Sequence, residues 1–366
     1  MNIGFDARPL VPPLTGVGVW LQQLLSGLAR LTPWELVAYL PARVRLELGN
    51  LESRVGVMAS KPPLPGTLWL VTRAAREVEG CHVFLGTLGI LPRRLTIPSV
   101  LVLHDLTPRT LPHKHTLANR FCFNAYLEES LAAASVVVCD SHATAKKLVQ
   151  LLPGRARNVQ VIPLGVEEFW CPGNEDQRRV RGHFAAGRPF ILQLGTLEPR
   201  KGIATLLVAH DQLLAMQPDA PDLVLAGNRG WGTSELERAL RRHRAPHRVH
   251  LPGYVTREEA RSLFRTAEVV VLASEEEGFG LPLAEALACG AACVASDAEA
   301  LVEVAGGAAL HFPRRSPENL AAALAQALQK DTNAQLKAKA QLRAPDLRWE
   351  KVCNRWVTLL LAFEKR

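Results

Sequence analysis

The chain has 366 residues, 48% hydrophobic and 21% charged, a balance that excludes a disordered or collagen-like polymer and leaves room for two domains with cores of their own. Its net charge of +8 is spread over both halves rather than gathered in a tail. That charge suits nucleotide phosphates, an anionic membrane surface or plain solubility, while aromatics at only 6% argue against nucleic-acid binding by base stacking.

The seven cysteines, at positions 81, 122, 139, 171, 289, 293 and 353, follow no metal-ligand spacing. An odd, scattered set in apolar segments predicts buried thiols in a reducing cytoplasm. The uncharged run from Pro9 to Ala29 contains Pro12-Pro13 and three glycines. It reads as neither a spanning helix nor a signal peptide.

In chain order, Ile3–Ala7 is a predicted strand, followed by Thr15-Gly16-Val17-Gly18 and a helix with Leu21, Leu24, Leu25, Leu28 and Leu31 on one face. Strand, glycine turn and helix is the layout of a phosphate-approaching loop, although two glycines alone fit a flexible loop equally well. Further strands are expected at Leu36–Leu40, Val55–Ala59, Cys81–Leu85 and Ser99–His104. The last of these ends in His104-Asp105, at the strand end where open α/β sheets place chemistry. Histidine there suits proton handling or a sugar hydroxyl; the alternative is a satisfied interior His104 and an Asp105 that caps the next segment.

A helix is predicted over roughly 115–134, then a strand at Ser135–Cys139 and a helix capped by Ser141 after Asp140. After a strand at Val159–Pro163, periodicity lapses through Trp170-Cys171-Pro172-Gly173-Asn174, the expected domain boundary. The second half alternates again, with strands at Phe190–Leu194, Leu223–Ala226, Val249–Leu251, Val269–Leu272, Ala292–Ala295 and Ala309–Phe312. Thr256-Arg257-Glu258-Glu259 is a capping box, and Ser316-Pro317 opens a further helix. The C-terminus, from about Trp349, sets Val352, Trp356, Leu359, Leu360 and Phe363 on one face, with Arg348, Lys351, Arg355, Glu364, Lys365 and Arg366 flanking it. Core packing explains that face, and a membrane-surface helix is the other reading.

Two turns of the second half carry candidate chemistry. Gly195-Thr-Leu-Glu-Pro-Arg200-Lys201-Gly202 places a guanidinium fork and an ammonium at a strand-to-helix turn, where they can clamp a diphosphate or merely be solvated. Ser274-Glu275-Glu276-Glu277-Gly278-Phe279-Gly280-Leu281-Pro282-Leu283-Ala284-Glu285 follows an apolar strand and runs into a helix. Its glycines permit close backbone approach, and the helix N-terminus offers free N–H groups to a phosphate. Read alone, it is equally an acidic surface loop before a core helix.

The five motifs together narrow the choice. Val102-Leu-His-Asp105, Val161-Ile-Pro-Leu-Gly165, Leu194-Gly-Thr-Leu-Glu-Pro-Arg-Lys-Gly202, Pro252-Gly-Tyr-Val255 and Glu277-Gly-Phe-Gly-Leu-Pro-Leu-Ala-Glu285 occur in this order over nearly the whole chain. The chain thereby resembles the family 4 retaining glycosyltransferases, and within them the mannosyltransferase-like branch, whose N-terminal loop reads Thr-Gly-Ile/Val-Gly. The resemblance implies an α/β protein of GT-B fold, with two Rossmann-like domains whose parallel sheets face an interdomain cleft. Residues 1–168 would form the acceptor domain and residues 174–345 the nucleotide-sugar domain, with the 349–366 helix packing back on the first.

The resemblance also implies roles. Glu285 would accept from the ribose hydroxyls and Glu277 would hold hydroxyls of the transferred sugar. Backbone at Gly278, Phe279, Gly280 and Leu281 would meet sugar and phosphate. Arg200 and Lys201, beside the Gly195 turn, would neutralise the diphosphate, and Gly16 would approach its distal phosphate. The backbone at Tyr254 would meet the base. His104 would bind the sugar near the reacting carbon, and Asp105 would orient the His104 loop. No cofactor or metal is implied: the second domain has no Asp-x-Asp motif, and the cations do the neutralising. The donor would be GDP-mannose rather than a UDP-sugar and the acceptor a hydroxyl of a glycan, lipid-linked or small molecule; the protein would be cytoplasmic, with peripheral association at the cytoplasmic membrane face as the further reading, and no nucleic acid would be bound.

Three positions depart from the family pattern: Ile203 stands where many members have Asn, and Glu275 and Glu276 add charge beside Glu277. Three rivals remain open. A same-fold epimerase would lack the paired glutamates, a phosphorylase would need a pyridoxal lysine and a longer chain, and a silent nucleotide-sugar-binding protein should have lost one of Arg200, Lys201, Glu277 or Glu285.

Overall fold

A computed structural model describes residues 1–111, 117–230, 232 and 234–364, without the side chains of Thr67 and residues 117–122. The expected helix start at 115, the Cys122 side chain, Trp231, Lys365 and Arg366 lie outside the described residues. The chain divides into two compact units, one formed by Met1–Gly165 with the segment from Trp349 onward, the other by Val166–Arg348.

The first unit is built on seven strands: β1 (Asn2–Asp6), β2 (Glu35–Leu40), β3 (Val55–Ala59), β4 (Val83–Gly86), β5 (Ser99–Leu103), β6 (Val136–Cys139) and β7 (Val159–Val161). All pairings are parallel, in the order β3-β2-β1-β4-β5-β6-β7. Strands such as Ser99-Val-Leu-Val-Leu103 are buried along their whole length. A parallel sheet covered on both faces needs such continuous apolar runs, which is why they were readable without alternation.

The Gly16–Leu31 helix buries Leu21, Leu24, Leu25 and Leu28, while Leu31 at its end is exposed. The C-terminal helix, Trp349–Leu361, packs on that helix. A Cβ at Gly27 would lie 2.0 Å from Cys353 Sγ, so glycine is what lets the two helices meet. The Trp20 and Trp356 rings are 6.1 Å apart, and Trp34 Nε1 donates to Glu364 at 3.2 Å. Val352, Trp356, Leu359, Leu360 and Phe363, the predicted apolar face, are all buried. Each such side chain contributes about 1.5–3 kcal/mol by leaving water.

The second unit has six strands: β8 (Phe190–Leu194), β9 (Asp222–Ala226), β10 (Val249–Gly253), β11 (Val269–Leu272), β12 (Cys293–Ser296) and β13 (Ala309–Phe312). They run parallel in the order β10-β9-β8-β11-β12-β13. The order reverses between β8 and β11, so the connections leaving these neighbours diverge. That is the switch point at which open α/β sheets form a crevice beyond their strand ends. Thr256 and Glu259 make the predicted capping box. Helices at Gly66–Thr72, Gln177–Phe184 and Glu299–Ala305 were not anticipated.

Cys81, Cys139, Cys289, Cys293 and Cys353 are buried free thiols. Among the described residues no helix is long and apolar enough to cross a membrane.

Candidate active site

The second unit gathers polar side chains where β8 and β11 end. After β8 the chain makes a short turn over Pro199–Lys201, and Gly202 takes the left-handed conformation at φ 65°. A Cβ there would lie 2.0 Å from the Ala273 carbonyl oxygen just past β11, so the position demands glycine. Ile203 then starts the helix and is itself buried, which accounts for an apolar residue at that point. A hydrogen bond from Glu275 N to Arg200 O, 2.8 Å, ties the basic turn to the acidic one.

Glu277 sits at the centre of this cluster, with its side chain only 7% exposed. Lys201 Nζ donates to its Oε1 at 2.6 Å, Arg200 Nη1 to its Oε2 at 3.2 Å, and Ser274 Oγ to Oε1 at 2.7 Å. Burial alone would raise this carboxyl; Lys201 and Arg200 outweigh it and bring the group down to about 2. Glu198 holds the other side of the guanidinium, 2.6 Å from Arg200 Nε. The neighbouring glutamates divide differently: Glu275 pairs with Arg315, and Glu276 is buried.

Gly280 follows at φ 104°, and a Cβ on it would strike Leu301 Cδ2 at 2.5 Å. Phe279 is buried and Gly278 lies within the same turn. Leu281 opens the Leu281–Ala288 helix, which buries Leu283, Ala284, Ala286, Leu287 and Ala288. Glu285 lies one turn into that helix, half-buried. Burial and the Glu167 carboxylate push it up, against the pull of Arg257, to about 8. In contrast to Glu277, its side chain makes no hydrogen bond among the described residues. A carboxyl held near neutrality without a partner is a candidate ligand group.

Two glycines of the set leave their backbone open. Gly195, at φ 137°, has open space where a side chain would point. Gly16, the first residue of its helix, is exposed. Tyr254 follows the edge strand β10 and is 71% exposed.

In the first unit, β1, β4, β5 and β6 end in a row of buried polar groups. Asp6 holds Arg8 through both carboxylate oxygens, with Nη2 to Oδ2 at 2.6 Å. Thr87 Oγ1 donates to the Asp6 carbonyl at 2.7 Å. His104, just past β5, pairs through Nδ1 with Asp140 Oδ2 at 2.6 Å and through Nε2 with the Thr87 carbonyl at 3.2 Å. Its ring stands edge-on to Trp20, 4.7 Å between centroids. Asp105 instead accepts from Thr107 N and Oγ1 at 3.0 and 2.8 Å, orienting the loop rather than the imidazole.

Sequence reasoning missed Glu198, Ser274, Asp140, Thr87, Arg8 and Arg257. Glu198 and Ser274 stand inside the two turn motifs and Arg257 inside the capping box; the signal for Asp140, Thr87 and Arg8 is only their place after a strand. Among the described residues no group of three or more His, Cys, Asp or Glu side chains converges as a metal-ligand set.

Comparison with known proteins bears on the whole chain. Residues 14–168 match the sequence model of Glycosyltransferase Family 4, and residues 174–343 that of glycosyl transferases group 1. The chain is 28% identical to O-antigen chain mannosyltransferase B of Escherichia coli, over 96% of its own length and 97% of that protein. Among solved structures it is similar to sucrose-phosphate synthase from Thermosynechococcus elongatus, with TM-score 0.81 and 19% identity over 100% of this chain and 99% of that one. It is similar too to Anabaena HepE in complex with UDP-glucose, with TM-score 0.79 and 20% identity over 99% and 100%. Two parallel-sheet α/β units, two family matches that between them span most of the sequence, and these neighbours lead to one conclusion: the chain belongs to the family 4 glycosyltransferases and has the GT-B fold.

Proposed function

We propose that this glycosyltransferase moves mannose from GDP-mannose to a hydroxyl of a glycan or lipid-linked acceptor, with retention of the anomeric configuration. The observation that carries the reading is the Glu277–Lys201–Arg200 cluster at the β8/β11 switch point, with an uncommitted Glu285 one helical turn beyond it. The choice of mannose rests on the full-length similarity to the E. coli mannosyltransferase.

Charge develops on the departing diphosphate, so preorganised donors aimed at it supply much of the acceleration. Lys201 and Arg200 fill that role, together with the backbone N–H groups at the start of the Leu281–Ala288 helix. In the donor-free protein Glu277 occupies both cations; the diphosphate draws them away and leaves the carboxylate to accept from sugar hydroxyls. Glu285 accepts from the ribose, and the backbone at Tyr254 meets the base. The acceptor attacks on the face from which the diphosphate leaves, and the leaving phosphate oxygen takes the acceptor's proton. No side chain is assigned as general base, and Arg200 and Lys201 stand where a metal would otherwise neutralise the diphosphate. The first unit supplies His104 and Gly16, and the enzyme works at the cytoplasmic membrane face.

A thermal-shift screen over GDP-mannose, UDP-glucose and their diphosphates tests the donor, because a ligand that binds only the folded state raises the melting temperature. GDP-mannose is expected to give the largest shift. A larger shift with UDP-glucose would overturn the mannose assignment and leave the transferase intact.

A further inference from the structure

We propose that Asp140 is a positioning residue for His104, holding the ring as a double N–H donor so that it presents a proton, never a basic nitrogen, to the reacting sugar. The inference rests on the transferase reading above, in which His104 meets the donor sugar.

The geometry begins with register. Leu103 and Cys139 are partners across the parallel pair β5 and β6, so the residues that follow them, although 36 apart in sequence, emerge side by side. The 2.6 Å contact between His104 Nδ1 and Asp140 Oδ2 is the short distance of a charge-assisted bond. On the other side of the ring, Nε2 faces the Thr87 carbonyl. A carbonyl oxygen only accepts, so Nε2 carries a hydrogen. With Asp140 ionised, Nδ1 carries one as well, which makes the ring an imidazolium.

Asp140 is built for little else. It is almost fully buried, and its Oδ1 has no hydrogen-bond partner among the described residues. A carboxylate sealed in at a strand end with one oxygen unsatisfied is a poor packing solution and calls for an explanation beyond stability. Trp20, edge-on to the imidazole, fixes the ring plane. The charged groups facing the ring are Asp140 from β6 and Asp105 from the loop that carries His104; Thr87 and Trp20 bring no charge. Burial would push the imidazole down, but Asp140, helped by Asp105, reverses this and holds it above its ordinary value. The longer bond to Thr87 is the one that exchanges for a sugar oxygen. A ring held charged cannot accept the acceptor's proton, which leaves that step to the departing phosphate.

The test is nitrogen NMR of the full chain labelled at histidine, with His104 assigned by its absence from His104→Gln. Wild type is expected to show both ring nitrogens protonated near neutral pH. Asp140→Asn, which keeps an acceptor but removes the charge, is expected to lower the midpoint by about one unit or more. The alkaline limb of kcat should move by the same amount, with the donor KM changed less than about threefold. His104→Gln, which retains an N–H donor, should keep more activity than His104→Ala. A neutral tautomer in the wild type, or an unchanged titration in Asp140→Asn, would overturn the proposal. If Asp140→Asn does not fold, the wild-type titration and the Gln/Ala comparison still decide it. Loss of all transfer in the wild type would count against the functional reading, whereas the titration would still judge the pair.

Discussion

The strand ends of the two sheets hold the same kinds of groups in contrasting arrangements. In the second unit, Lys201 and Arg200 reach Glu277 from the connection after β8, and Glu285 follows on the helix that Glu277's own turn leads into. In the first unit, four strands contribute one or two residues each: Asp6 and Arg8 at the end of β1, Thr87 after β4, His104 after β5 and Asp140 after β6. The second arrangement is concentrated in two continuous stretches; the first exists only once the strands are in register. One unit brings two cations to one shared carboxylate, with Glu198 on the far side of Arg200. The other pairs Arg8 with Asp6 and His104 with Asp140, one carboxylate to each basic side chain.

The largest expected effect separates the units by stability. Trp356→Ala removes a fully buried ring from the contact between the C-terminal helix and the Gly16–Leu31 helix. It should cost about 3–5 kcal/mol. Hydrogen exchange should show β1–β7 losing protection while β8–β13 keep theirs; equal loss in both sheets would mean that the helix does not belong to the first unit alone. Next comes Lys201→Ala, which removes the shortest contact to Glu277. Transfer should fall about 10²–10³-fold, in line with loss of a preorganised group at developing charge. An effect under tenfold would remove Lys201 from the diphosphate site.

Glu285→Gln sharpens the difference between the two glutamates. Glu285 titrates near 8 in the fold, against an ordinary 4.5. Between these values the unfolded chain has lost its proton and the folded one has not, so stability declines as pH rises through the window and the loss is complete above about 8. Removing the charge should therefore stabilise the donor-free protein at alkaline pH by about 2–4 kcal/mol, while weakening donor binding. Glu277 runs the other way. Its depressed value means stability present above 4.5 and lost as pH falls toward 2, so Glu277→Gln should destabilise at neutral pH. Denaturant titrations at two pH values read both signs, and equal signs would contradict the contrast. The smallest effect belongs to Thr256→Ala, which opens the capping box and should cost about 1 kcal/mol without altering transfer.

The contrast also explains what could be read from sequence. Strands such as Val269–Leu272 announced themselves because a strand buried on both faces is apolar throughout. The Gln177–Phe184 helix did not: only Val180 and Phe184 are buried among charged neighbours, too few to set a period. Arg200, Lys201, Glu277 and Glu285 were legible because they stand in continuous motifs whose turns are forced by Gly202 and Gly280. Asp140 was visible only as the residue before the helix cap Ser141. Its bond to His104 depends on pairing of β5 with β6, which no local pattern encodes.

The central claim is that the β8/β11 strand ends bind a nucleotide-sugar through Lys201, Arg200 and Glu285. Isothermal calorimetry of GDP-mannose against wild type, Lys201→Ala and Glu285→Gln measures this directly. Because Glu285 must lose its proton to accept from ribose, wild-type affinity should strengthen as pH rises toward about 8, with proton release on binding. Glu285→Gln should bind weakly with no such pH dependence, and Lys201→Ala should bind more weakly at every pH. Equal affinity in all three proteins, or wild-type binding without proton release, would contradict the account.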